Sequence, residues 1–242
     1  MRNVFKYFVL LFLLFRSITS YSQENTFTVG FQYKPIFPSA FFSTGTKTIY
    51  QNEVDFSISQ KVGYCAGMII RRGITKQVSV ETGINYTKRN FSLSIIDSTF
   101  TGKSVFTIIS YEIPLQGMIF LRLADKLYMN TAFGATLDMY PSNIATNDTY
   151  FQHFSKRHGV FQSSVLANLG FEYRTTKSGY FYVGASYHLP FSYFYASSIK
   201  YTPRQEIVRT KLRGNYLTID LRYYFHEDPL KPKKKKKKTE KQ

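Results

Sequence analysis

The sequence predicts an all-β protein: an eight-stranded antiparallel up-and-down transmembrane β-barrel with short periplasmic turns and long extracellular loops. Three observations carry this reading. Apolar and polar residues alternate with period two over eight segments. The connections between those segments alternate between short and long. The polar face holds charges of both signs in near balance, while the apolar face holds almost none.

Residues 1–22 come first and read as a secretory signal peptide. Arg2 and Lys6 precede the apolar run Tyr7–Phe15, and the small residues Ser20 and Ser22 close the segment. That is the basic, apolar, small-residue order of an export signal. The run is about half the ~20 residues that a spanning helix needs.

Residues 23–226 form the barrel domain. Phe27, Val29, Phe31 and Tyr33 alternate with Thr28, Gly30, Gln32 and Lys34 in the first strand. Further strands are expected near 56–71, 77–87, 106–123, 126–139, 161–174 and 180–190. The last runs Leu217, Ile219, Leu221, Tyr223, Phe225 on one face, with Thr218, Asp220, Arg222 and Tyr224 on the other. Successive side chains on a strand point to opposite faces, so every segment has one apolar and one polar side. Arg72–Lys76, Ala124–Asp125 and Thr175–Gly179 are short connections. The regions near 35–55, 88–105, 140–160 and 191–214 are long. Short turns on one side and long loops on the other are the habit of an outer-membrane barrel, whose termini both face the periplasm.

The polar face carries Lys34, Lys61, Arg71, Arg122, Arg174 and Arg222 against Glu81, Glu112, Asp138, Glu172 and Asp220. An eight-stranded barrel is just wide enough for its interior to fill with side chains. Charges buried there need partners, so these eleven residues are expected to form an interior ion-pair network of structural role. A soluble barrel or sandwich would place its apolar face inside. Aromatics at strand ends, among them Tyr33, Tyr86, Tyr111, Tyr140, Tyr187 and Tyr223, are expected to form interfacial girdles.

Composition narrows the classes further. The 242 residues carry a net charge of +17, with 18% aromatic and 19% charged residues. That aromatic share excludes a disordered chain, and the single cysteine, Cys65, excludes an internal disulfide. Much of the charge is terminal. Residues 227–242 are a Lys-rich tail, expected to be disordered in the periplasm, with the run Lys233, Lys234, Lys235, Lys236, Lys237 and Lys238 a candidate contact for a periplasmic partner or anionic headgroups. Export rules out a nucleic-acid partner for it.

The stretch Tyr111-Glu112-Ile113-Pro114-Leu115 resembles the Tyr-x-Glu-Ile-Pro-Leu segment of the small outer-membrane β-barrel family common in Bacteroidetes, often labelled PorT-like. Gly83-Ile84-Asn85-Tyr86, Ala132-Phe133-Gly134-Ala135, Gly170-Phe171-Glu172-Tyr173 and the terminal Leu221-Arg222-Tyr223-Tyr224-Phe225 are similar too. The resemblance implies the barrel fold and an outer-membrane location. For some members it also implies a link to type IX secretion and gliding.

No catalytic, metal or cofactor motif stands out. His188, near Ser186, Tyr182 and Asp138, reads as a hydrogen-bonded interior histidine. Lys156 and Arg157 between His153 and His158 argue against a metal set. Lys200, Arg204, Arg209, Lys211 and Arg213 face only Glu206 in the last loop and are candidate contacts for anionic lipopolysaccharide. The loop aromatics Phe41, Phe42, Phe151, Phe154, Phe194 and Tyr195 are expected to pack over the barrel mouth or meet a partner. The resulting expectation is a non-enzymatic barrel, a structural or accessory part of an outer-membrane assembly with lipid, lipopolysaccharide and protein partners. The alternatives are a lipid-modifying or proteolytic enzyme with a site at the extracellular rim, and a small-solute channel.

Overall fold

Strand β1 (Phe27–Phe37) is hydrogen-bonded on both sides, and that closes the sheet. The computed structural model describes residues 27–38 and 45–225. The export signal, the Lys-rich tail, Phe41 and Phe42 lie outside the described residues. The remaining strands are β2 (Lys47–Gln51), β3 (Val54–Gly73), β4 (Val78–Ile96), β5 (Thr101–Arg122), β6 (Leu127–Met139), β7 (Ile144–Asn147), β8 (Phe151–Arg157), β9 (Phe161–Arg174), β10 (Tyr180–Pro190), β11 (Tyr193–Tyr201), β12 (Glu206–Arg213) and β13 (Tyr216–Tyr224). The ring runs β1-β13-β10-β9-β6-β5-β4-β3 and returns to β1, antiparallel throughout. This is the expected eight-stranded up-and-down barrel. Closure leaves no unpaired edge in its wall.

The two faces are inverted relative to a soluble protein. Leu115, Phe133 and Val183 point outward and are 61%, 68% and 56% exposed, while Glu81, Glu172 and Asp220 point inward and are at most 1% exposed. Apolar side chains outside and carboxylates inside are stable only where hydrocarbon replaces water. The belt is therefore a lipid-facing surface. Tyr33, Tyr64, Tyr86 and Tyr111 form a continuous chain of ring contacts across β1, β3, β4 and β5, with centroids 5.9–6.2 Å apart. Phe181, Tyr223, Phe225 and Phe31 make a second chain at the opposite end. Tyr140, expected in a girdle, is instead fully buried.

The short turns hold as expected. Thr75 Oγ1 accepts from the Gln77 and Val78 amides, and Thr175 Oγ1 accepts from the Ser178 amide. The long connections do not stay loops. Strands β3, β4 and β5 run 20, 19 and 22 residues and rise well past the belt. Their inward residues above it are apolar: Val54, Phe56 and Ile58 on β3, Phe91, Leu93 and Ile95 on β4. Against them packs a separate four-stranded sheet, β12-β11-β8-β7, which contributes Phe151, Tyr195, Ile199, Tyr201 and Val208. The result is an extracellular β-domain with its own apolar core. Of the described loop aromatics, Phe151, Phe194 and Tyr195 are buried in it, while Phe154 stays 46% exposed.

A register shift between Lys61 and Tyr64 divides the two halves of β3. Below it the odd residues Gly63, Cys65, Ile69 and Arg71 face inward; above it the even residues Val54, Phe56, Ile58 and Gln60 do. A bulge inserts a residue and so changes which parity faces the core. Lys61 is therefore exposed on the outside, not a member of the interior network.

Candidate functional site

Seven interior charges form one alternating chain. Lys34 Nζ lies 3.4 Å from Asp220 Oδ2, and Arg222 Nη2 lies 2.6 Å from the same oxygen. Arg222 Nη1 reaches Glu81 Oε1 at 2.7 Å. Arg71 Nε is 3.3 Å from Glu81 Oε2, and its Nη1 is 2.6 Å from Glu172 Oε2. Arg174 Nε ends the chain at Glu172 Oε1, 2.6 Å away. β3 and β9 are four strands apart in a ring of eight, so Arg71 and Glu172 meet across the lumen.

Neutral donors complete the carboxylates. Glu81 accepts from Tyr224 Oη at 2.6 Å and from Gln116 Nε2 at 2.7 Å. Asp220 accepts from Ser186 and Thr218 hydroxyls at 2.5 Å each and from Asn168 Nδ2 at 3.1 Å. The guanidinium of Arg71 lies 3.7 Å from the Tyr224 ring centre, and that of Arg174 the same distance from Tyr128. Gly170 and Gly184 face each other across β9 and β10, and a Cβ on either would collide with the Tyr182 hydroxyl. Those glycines leave the slot in which Tyr182 donates to Asn168 Oδ1 at 2.7 Å.

A second level sits nearer the extracellular end. Glu112 accepts from Tyr216 Oη at 2.8 Å, again from the opposite wall. His188 Nε2 is 3.3 Å from Asp138 Oδ2 and 3.0 Å from Thr136 Oγ1. Thr136 donates to Asp138 Oδ1 at 2.7 Å, and Ser164 donates to Asp138 Oδ2. His188 thus joins Asp138, while Ser186 and Tyr182 belong to the Asp220 cluster below. Both His188 and Asp138 are fully buried.

Nine of the eleven expected network residues lie inside. Lys61 is outside for the reason given. Arg122 is at the β5–β6 turn, where its Nη2 pairs with Asp125 at 2.6 Å in solvent. The structure adds Arg89, 1% exposed, at the junction of barrel and extracellular domain. It donates to the Gly214 carbonyl at 2.9 Å and the Tyr140 hydroxyl at 3.0 Å, and lies 4.4 Å from the Phe194 ring centre. It falls in the 88–105 region read as a connection. The alternation Thr87, Arg89, Phe91, Leu93, Ile95 in the sequence was the signal for it.

The cations of the last connection divide. Arg204 is engaged: its Nη2 and Nε meet Asp97 at 2.6 and 2.9 Å, its Nη1 meets the Asn52 carbonyl at 3.0 Å and Glu53 at 3.5 Å. It pins three hairpin tips together and is not a free lipid contact. Burial would raise the Asp97 carboxyl, but the Ser98 amide and Arg204 outweigh it and hold the group below its ordinary value. Lys200, Arg209, Lys211 and Arg213 point away from the core. With Lys156 of β8, Arg209 and Lys211 flank a shallow trough floored by Ala196 and Ser198.

Within the extracellular core, His153 Nε2 lies 2.8 Å from both Ser155 and Ser197 hydroxyls, under the Phe106 ring at 4.4 Å between centres. Burial pushes its imidazole down to about 4. His158 is exposed and lies tilted against the Tyr193 ring, 4.3 Å between centres. Among the described residues no three His, Cys, Asp or Glu side chains gather as a metal set.

No family model matches the sequence, and no curated protein does. Among solved structures, the outer membrane protein OprG from Pseudomonas aeruginosa is similar in fold at 13% identity. The match covers 85% of this chain and 98% of that one, with a TM-score of 0.57. The outer membrane protease OmpT from Escherichia coli aligns at 11% identity over 86% of this chain and 99% of that one, with a TM-score of 0.34, and at that score the likeness carries no argument. The fold of this chain is that of an outer-membrane β-barrel.

Proposed function

We propose that the protein is a non-enzymatic outer-membrane barrel with a sealed lumen, which anchors its extracellular β-domain as a structural or accessory component of an outer-membrane assembly. The observation that supports this is the Arg71–Glu172 pair at 2.6 Å across the lumen, within a chain of ion pairs whose members are almost all below a tenth exposed. A pore needs water where these side chains stand. The resemblance of Tyr111–Leu115 directs the partner search to type IX secretion and gliding components.

Recording from single barrels in planar bilayers tests the sealed lumen. The expected record shows no steady open level; a large, persistent conductance overturns the reading and makes the protein a channel. Affinity capture of the intact protein from native membranes tests the assembly role, with a reproducible set of envelope proteins expected.

The enzyme reading rests on the His188, Asp138, Thr136 and Ser164 cluster. Its burial favours a packing role, because a general base must reach its substrate. His188→Ala is expected to leave lipid A composition and surface proteolysis unchanged. A loss of either activity in a variant that still folds assigns the cluster to catalysis.

A further inference from the structure

Just above the lipid-facing belt, the wall is interrupted. β10 and β13 end their pairing at His188 and Tyr216, and above that point the edges of β2 and β12 face each other without backbone pairing. A notch of about 490 Å³ opens there, within the ~300–1,000 Å³ of small-molecule sites. Its lower side is apolar: Leu189, the last outward residue of β10, is 45% exposed, and Phe191 is 73% exposed. Its upper side is cationic: Lys47 from β2, and Lys211 and Arg213 from β12.

Among the described residues these charges have no counter-ion: no carboxylate lies within ion-pair distance of any of the three, and residues 39–44, Ser-Ala-Phe-Phe-Ser-Thr, carry no acid. The floor of the notch includes Gly214, and behind it the Gly214 carbonyl accepts from buried Arg89, whose Nε has no partner. A fourth positive charge therefore lies behind the floor of the notch without lining it. Lys47 is held in place by donating to the Lys211 carbonyl at 2.6 Å, and Lys211 by the Tyr193 ring, 4.7 Å away. Burial, then the facing Arg213 charge, pushes the Lys47 ammonium below its ordinary value. Cations assembled without an anion repel one another, and a bound anion relieves that repulsion.

We propose that this notch binds the phosphate of an anionic amphiphile of the outer leaflet, with the phosphate held by Lys47, Lys211 and Arg213 and the acyl end lying on Leu189 and Phe191. The inference rests on the outer-membrane reading of the barrel. It narrows the expected lipid contact to a defined site that keeps Lys211 and Arg213, adds Lys47 and leaves out Lys200, Arg204 and Arg209.

The test uses the full-length protein folded in detergent micelles, with native mass spectrometry reading bound lipid. The probes are phosphorylated lipid A, the same lipid A after phosphatase treatment, and inorganic pyrophosphate. Phosphorylated lipid A is expected to bind, the dephosphorylated form to bind about tenfold or more weakly, and the triple variant Lys47→Gln, Lys211→Gln, Arg213→Gln to lose binding to a similar extent. A charge-preserving triple variant, Lys47→Arg, Lys211→Arg, Arg213→Lys, is expected to retain it. Heat-dependent gel mobility reports that each variant has folded. Equal lipid A binding by wild type and the Gln triple variant overturns the site. Pyrophosphate binding as tightly as lipid A overturns the amphiphile and assigns the notch to a soluble phosphoanion. Fractionation of cells reports the underlying reading separately: absence of the protein from the outer membrane removes that reading, whatever the micelle titration gives.

Discussion

Arg71 on β3 and Glu172 on β9 stand on opposite walls of the barrel and meet at 2.6 Å. This contact ties the far sides of the sheet directly, in addition to the hydrogen-bonded wall between them. Removing one partner of such a pair leaves the other charge buried and uncompensated. Arg71→Met is therefore expected to destabilise the folded barrel by roughly 3–5 kcal/mol. The double variant Arg71→Met, Glu172→Gln is expected to recover only part of that loss, since both charges then go but Arg174 loses the Glu172 carboxylate. Urea titration in lipid vesicles, read by gel mobility, checks both. A single variant as stable as the wild type contradicts the structural role.

The bulge in β3 makes a contrasting pair of Lys34 and Lys61. Both read as polar-face residues, yet Lys34 is 5% exposed beside Asp220 while Lys61 lies outside. Lys61→Ala is expected to change stability by no more than about 0.5 kcal/mol. Lys34→Ala is expected to cost more in the same urea titration, because it withdraws a charge from buried Asp220. Equal effects would place the two side chains in the same surroundings.

Period two made the barrel legible because lipid outside and ion pairs inside impose opposite polarity on successive residues. Of the eleven residues it put inside, nine lie there, and seven of them, from Lys34 to Arg222, make up the ion-pair chain. It failed at Lys61, where one inserted residue flips the face, and at Arg122, the last residue of β5, whose side chain leaves the lumen at the strand end to meet Asp125 of the turn. Arg89 was missed for another reason. Above the belt both core and surface differ from the barrel below, so Phe91, Leu93 and Ile95 turn from a charged interior to an apolar one. The sheet β12-β11-β8-β7 pairs strands from two separate connections, and no local pattern reports that pairing. The notch at Lys47 depends on the same distant juxtaposition of β2 and β12.

Arg204 is the clasp of the extracellular domain. It joins the tip of the β4–β5 hairpin through Asp97 to the β2–β3 turn through the Asn52 carbonyl. Asn52 and Glu53 have φ of 48° and 63°, the pair of left-handed residues that a tight two-residue hairpin requires. Arg204→Ala is expected to speed amide exchange and proteolysis around 50–53, 97–100 and 202–206, leaving the barrel strands protected. Lys at 204 is expected to restore only part of the protection, because an ammonium does not match the two-oxygen contact with Asp97. Unchanged exchange at all three tips would show that the apolar core alone holds them.

His153 gives the extracellular domain its own pH dependence. Burial pushes its imidazole down to about 4, against about 6.5 in the unfolded chain. Between those values the unfolded state binds a proton that the folded state does not, so stability rises with pH. The domain is expected to be fully stable above about pH 6.5 and to lose roughly 3 kcal/mol as the pH falls to about 4. Asp97, whose carboxyl is held below its ordinary value, stays charged through most of this window and adds its loss only at lower pH. The neighbours of the imidazole are Ser155, Ser197 and the Phe106 ring, none of which offers a negative charge to compensate the proton. His153→Gln keeps a polar group among the two hydroxyls but cannot protonate, so it is expected to flatten the profile between pH 6.5 and 4. Amide exchange of β8 and β11 at pH 7, 5.5 and 4, corrected for intrinsic rates, checks this. The same slope in wild type and variant would assign the pH dependence to other groups.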